Sequence, residues 1–419
     1  MKTLKLFSLA LMISLVGGFL LPTTVQAEET NELANVLVEF ETDEISAESL
    51  GIEEPTVLPG DKTYWWQNIK DNVGLFLTFD EEKKILKMEQ LASRKLLEAK
   101  KLTGSGTDNA AENVEKSLEK YNEVMRKVTE RLQNNPNIKT KILENFDTKQ
   151  LRHQELLRNV TEKLRSKISN DKIEKFERIR KENAERLHQI DPENFEARLK
   201  KAVDNNNLGS KFKALRNIAT LEDIQNSVNQ ETKEKIEAAK ENAQEKLADK
   251  LQSLDAEEKE KLGKYIENIK LPIVQKQALV NDLKNSEKIP ETAKIKIRQI
   301  SNTYSEQMKE RWNNFDADGQ KKFLEQFESR SHPTYINFLD NIKVPEELRE
   351  RVKNLRETQI QGIKEKIQNT NDLPKLRSLQ QNVKDPVLLR EIRTRQVQVT
   401  PTRSGGAMMQ NQQATDNRQ

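Results

Sequence analysis

The sequence predicts an all-α fold: an elongated array of antiparallel helices and helical hairpins with coiled-coil-like packing, a flexible acidic N-terminal arm and a disordered C-terminal tail. Three observations predict it. First, 33% of the 419 residues are charged and only 34% are hydrophobic, with a mean hydropathy of −0.85; such a composition suits amphipathic helices with narrow apolar stripes better than one thick core. Second, Gly209, Gly263, Gly319 and Gly362 are the only glycines between Thr107 and Ser404, and the alternation of a β-strand is absent. Third, apolar residues recur at steps of three and four, as in Ile236, Ala239, Ala243, Leu247, Leu251 and Leu254.

The elements follow in order. Lys2 and Lys5 precede an apolar run from Leu6 to Leu21, Pro22 breaks it, and Val25-Gln26-Ala27 offers small residues before Glu28. This is the pattern of a cleaved signal peptide, expected over residues 1–27; the run is shorter than the roughly 20 apolar residues of a membrane anchor. No cysteine follows to take a lipid, and no second apolar segment is long enough to span a bilayer. No Lys or Arg stands between Lys5 and Lys62, so residues 28–58 form an acidic arm, expected to be mostly extended. Within it "ISAESLG" predicts one helical turn, with Ser46 capping and Gly51 stopping it.

Residues 59–103 predict an N-terminal helical hairpin. Its first helix, about Lys62 to Val73, returns through Gly74 into the elbow "LFLTFD". Trp65 and Trp66 stand on that helix, and neighbouring positions diverge by about 100°. One indole is therefore expected to pack with Tyr64, Ile69 and Val73 against Ile85, Met88 and Ala92, the other to find the arm, a loop or a partner. A flexible joint is expected at residues 104–110, then a helical array with degenerate repeats over 111–396 and a disordered tail over 397–419.

Helix starts repeat a chemical phrase. "FDEEKK" at Phe79, "FDTKQL" at Phe146, "LDAEEK" at Leu254 and "FDADGQKK" at Phe315 each place an apolar residue before an Asp. The Asp can accept the orphan N–H groups of a first turn, and the apolar residue can staple onto the next turn. A second phrase recurs at Val228, Lys288 and Lys343, about 55 to 60 residues apart, as stacked helical units do. Prolines 136, 192, 272, 290, 333, 345, 374 and 386 fall where helices should start or stop.

Chemistry is thinly signalled. Zero cysteines exclude disulfides, thiol catalysis and Cys-based metal sites. With 71 basic against 68 acidic side chains, interleaved, the balance lacks the basic excess of a nucleic-acid binder. Asn314 to Glu325 has calcium-loop spacing, with Asn314, Asp316, Asp318, Gly319 and Glu325 at the ligand and turn positions. Asn at the first position and Lys321 at the eighth argue for a plain helix start instead. Ser117 and Lys120 have the Ser-x-x-Lys spacing of penicillin-recognising enzymes without the companion motifs. His153, His188 and His332 are scattered and suggest no zinc site. Paired carboxylates read as solvated faces. Lys384, Arg390, Arg393, Arg395 and Arg403 give the C-terminus a mild basic bias toward an anionic surface or the acidic arm. No residue is assigned a catalytic, cofactor-binding or metal-binding role, and no cofactor is expected.

The stretch from Glu48 to Ala99 resembles a bacterial domain-of-unknown-function family, the one numbered 5667. The resemblance rests on Leu50-Gly51, Pro55, Leu58-Pro59-Gly60, Tyr64, the apolar run at Leu75 to Leu77, Thr78-Phe79-Asp80, Glu82-Lys83-Lys84, Leu91-Ala92, Arg94, Leu96 and Glu98-Ala99. Family members often carry Pro where Lys62 and Glu81 stand here, which touches capping rather than topology. The resemblance implies an exported helical protein, not a reaction. The expected function is therefore a secreted or envelope scaffold or interaction protein without enzymatic activity. It would bind protein partners or itself through helices, with no nucleic acid and no transmembrane segment after signal cleavage. The alternative is a chaperone-like holder of unfolded exported chains.

Overall fold

The structure, a computed structural model, describes residues 45–104, 109–135, 140–165, 167–206, 212–225, 227–252, 254–269, 271–328 and 331–400. These residues contain sixteen α-helices, two short 3-10 turns and no strand. The expected signal peptide, the arm as far as residue 44, residues 105–108 of the joint and the tail from residue 401 lie outside them. No helix among the described residues is long and apolar enough to cross a membrane.

Helix α1 (Tyr64–Phe76) leads into four long helices, α2 (Glu81–Leu102), α3 (Ala110–Gln133), α4 (Thr140–Leu164) and α5 (Asn170–Gln189). Their contacts close a ring: α2 on α3, α3 on α5, α5 on α4 and α4 on α2. This is a four-helix bundle. Its core draws on one stripe from each helix, including Ile85, Ala92 and Leu96, then Val114, Leu118 and Val128, then Leu156 and Val160, and lastly Phe176 and Ile179. Each such Val, Leu, Ile or Phe side chain contributes about 1.5–3 kcal/mol by leaving water.

The outer face of α4 carries α6 (Phe195–Asn206) and α7 (Lys213–Gln225), and α8 (Gln230–Leu251) packs on both. Farther along, α9 (Ala256–Asn268) and α10 (Ile273–Asn285) pack on α11 (Glu291–Asn314). The short α12 (Ala317–Glu325) and α13 (Pro333–Leu339) precede α14 (Arg349–Asn369), α15 (Leu373–Asn382) and α16 (Pro386–Val399). Helices α13 and α15 both rest on α10, and α14 and α15 both on α16. The second recurring phrase marks the starts of three long helices. Asn229 caps α8, Pro290 precedes α11, and Pro345 opens the 3-10 turn Glu346–Leu348 that enters α14.

Three of the four Asp phrases are helix caps. Asp80 accepts from Lys83 N at 2.7 Å, Asp316 from Gly319 N at 2.8 Å, and Asp255 forms a reciprocal capping box with Glu258. The fourth is not. Asp147 lies inside α4, buried, with both oxygens taken by the Arg198 guanidinium at 2.8 and 2.6 Å. A fork of two charge-assisted bonds outweighs a local cap. The staple before α2 also fails, because Phe79 is 88% exposed. Before α12 the ring of Phe315 does meet Phe323, at 5.8 Å between centroids.

The acidic arm is docked from Ile45 onward, where an extended chain was expected. Ile45, Ala47 and Leu50 are buried in the bundle core. The expected turn is present as a 3-10 turn, Glu48–Leu50, with Ser46 Oγ accepting from Ser49 N at 3.2 Å and Gly51 at φ 68°. Basic side chains hold the strand of chain in place. Lys100 Nζ donates to Ile45 O at 3.0 Å, Lys101 Nζ to Pro55 O at 2.7 Å and to Glu54 at 2.8 Å, and Arg152 to Ser49 O. The absence of Lys and Arg from the arm is matched by their presence on the surface it crosses.

Candidate interaction surface

The turn "LPGD" launches α1. Asp61 N donates to Leu58 O at 3.0 Å, and the Asp61 carboxylate accepts from Leu58 N at 2.7 Å. Gly60 sits at φ 103°, which only glycine adopts freely. The helix then runs three residues past the expected end: Gly74 is inside it, and the chain leaves only after Phe76. Thr78 Oγ1 closes the end by donating to Gly74 O at 2.7 Å.

On α1, Tyr64, Asn68, Asp71 and Leu75 fall at steps of four, three and four, so they share one face. That face meets α2. Tyr64 OH donates to Glu98 at 2.7 Å, and Lys95 Nζ donates to Tyr64 OH at 2.9 Å and to Asn68 Oδ1 at 3.3 Å. Lys95 and Glu98, at 3.0 Å, are 1% and 0% exposed. Arg94 binds Asp71, and only Leu75 adds an apolar contact to the bundle core. The face that docks α1 is thus its polar one. Burial pushes the Glu98 carboxyl up against the pull of Lys95, and pushes the Lys95 ammonium down against the pull of Glu98. Burial, reinforced by the Glu98 charge, also raises the Tyr64 phenol.

The opposite face carries Trp65, Trp66, Ile69, Val73 and Phe76, again at helical spacing, and it is open. Trp65 is 62% exposed, Trp66 59% and Phe76 77%, and the elbow continues the surface with Leu77 and Phe79. The expectation that one indole packs into the hairpin core is therefore overturned: neither does. The inference from angular divergence failed because an apolar stripe of about 100° has room for a ring at each margin. The two indoles meet edge to face, with centroids 5.6 Å apart.

Inside the bundle lies a second polar arrangement, which the scattered histidines did not signal. His153, on α4, is fully buried. Its Nε2 lies 2.8 Å from Ser93 Oγ, which donates to Glu89 at 2.9 Å, and Gln150 Nε2 donates to its Nδ1 at 3.1 Å. Those partners place the imidazole proton on Nε2. Burial, with Lys149 and Arg152 nearby, pushes the imidazole down to about 3, so the ring is neutral. Tyr121 OH donates to Asn183, and Asn183 to Gln154, at 2.7 and 3.1 Å, extending the chain of bonds across the bundle. Glu89, Glu98, Asp147, Glu155 and Asp223 are all buried. These carboxylates are structural partners of buried donors, a correction to the reading of carboxylates as solvated faces. Only the tertiary pairing identifies them, since their spacing resembles that of their exposed neighbours.

The remaining sequence candidates are not brought together. Ser117 is buried in the bundle, whereas Lys120 turns outward to Glu123 at 2.8 Å. In the calcium-like stretch Asn314 ends α11, Asp316 caps α12, Asp318 faces Lys322 at 3.6 Å and Glu325 faces Arg351 at 3.6 Å. A helix end and a helix start replace the encircling loop that calcium needs. No group of three or more His, Asp or Glu side chains placed to hold a metal occurs among the described residues. His188 stacks edge to face on Phe195 at 5.3 Å, and His332 caps α13 and meets Asp282 at 2.9 Å. An open, polar depression of about 590 Å³ between α2 and α3 is lined by Glu81, Met88, Lys127, Glu130, Arg131, Asn134 and Asn135. None of the sequence candidates lies in it.

Helix α1, the elbow and the first three bundle helices thus form one continuous piece of chain. Residues 56–167 match the model of DUF5667, a domain of unknown function. The match overlaps the resemblance seen over Glu48 to Ala99 from residue 56 onward, leaves Leu50-Gly51 and Pro55 before it, and runs on through α3 and α4. It takes in the exposed stripe, the Lys95–Glu98 pair that seats it, and the Glu89–Ser93–His153 relay. It stops before α5, which completes the bundle around the DUF5667 segment. The comparisons with curated proteins and with solved structures returned no match.

Proposed function

We propose that the protein is an exported, non-enzymatic interaction protein of the bacterial envelope or extracellular space, with the α1 stripe and elbow as its contact surface. The helical body acts as the scaffold that holds this surface out. One observation carries the reading: α1 is fastened by its polar face and presents its apolar face to solvent. Helices are ordinarily docked the other way round. Contiguous exposed apolar surface on a folded chain marks interaction.

The test pairs two measurements. Protein recovered from the envelope or medium of its own cells should begin at Glu28. The Trp65→Ser/Trp66→Ser variant should keep its helicity and denaturation midpoint yet fall out of the envelope fraction. Unchanged retention of that variant would sink the contact-surface reading, and an intact leader on the recovered protein would sink cleavage. The holder of unfolded exported chains is the second reading, favoured by the same exposed rings. It requires that the wild-type chain bind a hydrophobic dye and suppress aggregation of a denatured client, and that the double variant do neither.

A further inference from the structure

We propose that the α1 stripe and the elbow after it seat on an anionic lipid surface, with α1 lying in the plane of the headgroups. This rests on the reading of α1 as the contact surface and names what it contacts. Three features point to lipid. The exposed residues are Trp65, Trp66, Ile69, Val73, Phe76 and Phe79 with Leu77; Trp and Phe beside aliphatic side chains are the residues that partition into the membrane interface. They stand along one helix and an elbow at 43–88% exposure, a ridge rather than a groove. A ridge suits a fluid layer, which needs no matching shape.

The third feature is charge. The acids around the ridge are engaged: Asp71 by Arg94, Glu81 by Arg131, and Asp61 and Asp80 by the backbone N–H groups of Leu58 and Lys83. Backbone bonding leaves Asp61 and Asp80 charged, so with Glu82 they set three acids against Lys62, Lys70, Lys83, Lys84 and Lys87, a local excess of two positive charges. Of these lysines, Lys62, Lys70, Lys83 and Lys87 are exposed, and Lys87 also reaches the elbow at Thr78 Oγ1, 2.9 Å away. Such a basic margin matches anionic headgroups. The polar face of α1 is already satisfied by α2, so the helix can enter the interface without stranding a donor or acceptor.

The chain carries a built-in reporter. Trp65 and Trp66 are exposed, while the third tryptophan, Trp312, is 1% exposed. The full chain is mixed with vesicles of phosphatidylglycerol and phosphatidylcholine, or of phosphatidylcholine alone, with brominated acyl chains. With the anionic vesicles, Trp emission should shift to the blue and be quenched, and high salt should weaken the effect. Trp65→Phe/Trp66→Phe should keep binding and lose the quenching. Trp65→Ser/Trp66→Ser/Phe76→Ser/Phe79→Ser should bind at least about tenfold more weakly.

Three results would overturn the proposal. The first is protein that sediments with vesicles while its indoles stay unquenched, which would place the contact elsewhere, as on the apolar run of residues 6–21. The second is emission already blue-shifted without vesicles and dependent on protein concentration, which would put a second copy on the ridge. The third is equal quenching in neutral and anionic vesicles. If quenching is absent but the serine variant still leaves the envelope fraction, the contact-surface reading stands and the partner is a protein.

Discussion

Trp65 and Trp66 stand 62% and 59% exposed on α1, whereas Trp312 on α11 is 1% exposed. Its Nε1 donates to Lys343 O at 3.0 Å, and its ring meets Phe323 and Phe338 within an interlocked set that includes Phe327 and Tyr335. The rings packed around Trp312 are thus buried. Helix α1 and its elbow turn Trp65, Trp66, Phe76 and Phe79 out, over a bundle that buries Lys95, Glu98, Glu89 and His153 beside its own rings Tyr121 and Phe176. The difference teaches what the buried ions contribute. An ion pair taken out of water is at best a weak source of stability, but it admits few geometries. With Tyr64 and Asn68, the Lys95–Glu98 pair fixes the rotation of α1 about its own axis. A purely apolar seam at that contact would favour rolling the tryptophan stripe inward.

The sharpest way to break the comparison is to delete rings on both sides. Trp312→Ala should cost about 3–5 kcal/mol, because it opens a cavity among packed aromatics and strands the Lys343 carbonyl. Trp65→Ala/Trp66→Ala should change stability by about 0.5 kcal/mol or less, as exposed sites do. Urea denaturation followed by circular dichroism measures both, and a large cost for the double variant would show that its rings are packed after all.

Next in size is the seat of α1. Lys95→Met leaves the buried Glu98 with only the longer Arg94 contact at 3.8 Å in place of its close cation, which should cost about 3 kcal/mol. The loss should be local, with faster hydrogen exchange over Tyr64–Phe76 and little change in α11 to α13. Replacing both partners, Lys95→Met with Glu98→Leu, should recover most of the stability while permitting α1 to turn. Protected amides together with newly buried indoles in that double variant would show that the ion pair sets orientation. Indoles that stay exposed would assign the orientation to Arg94–Asp71 instead.

The helical class, the turn at Ser46 to Gly51, the caps at Asp80, Asp255 and Asp316, and the core stripe from Ile236 to Leu254 were legible in the sequence. Each depends on chemistry within one or two helical turns. Asp147 was misread because its partner, Arg198, is distant in sequence and only the α4–α6 contact brings it near. The stripe on α1 was visible as a pattern, but its direction was not. Periodicity tells which residues share a face, and only the pairing of Tyr64, Asn68 and Asp71 with α2 decides which face is covered. The seat could have been suspected from one signal: the stripe's opposite face carries a Tyr, an Asn and an Asp, all able to pair with Arg94 and Lys95 of α2 and with Glu98 one turn on.

The smallest expected effect concerns the buried polar interior, as a change in slope with pH. The fold holds the His153 imidazole down to about 3, whereas an unfolded chain binds that proton near 6.5. Between these values the unfolded state carries a proton that the native state refuses. The native state therefore loses stability as pH falls from about 6.5 toward 3, by up to about 1.4 kcal/mol per pH unit. Glu89 acts with the opposite sign. Burial raises its carboxyl, against the pull of Lys149 and Ser93, so the native state accepts that proton before the unfolded chain does and is favoured on the way down. His153→Gln can still offer an N–H to Ser93 and an oxygen to Gln150, but it does not titrate. Urea midpoints at pH 7, 6 and 5 should decline less steeply for this variant than for the wild type. Parallel declines would mean that the acid sensitivity resides outside the Ser93–His153 relay. A steeper decline in the variant would mean that His153 takes up its proton more readily in the native state than in the unfolded chain, the reverse of the expected sign.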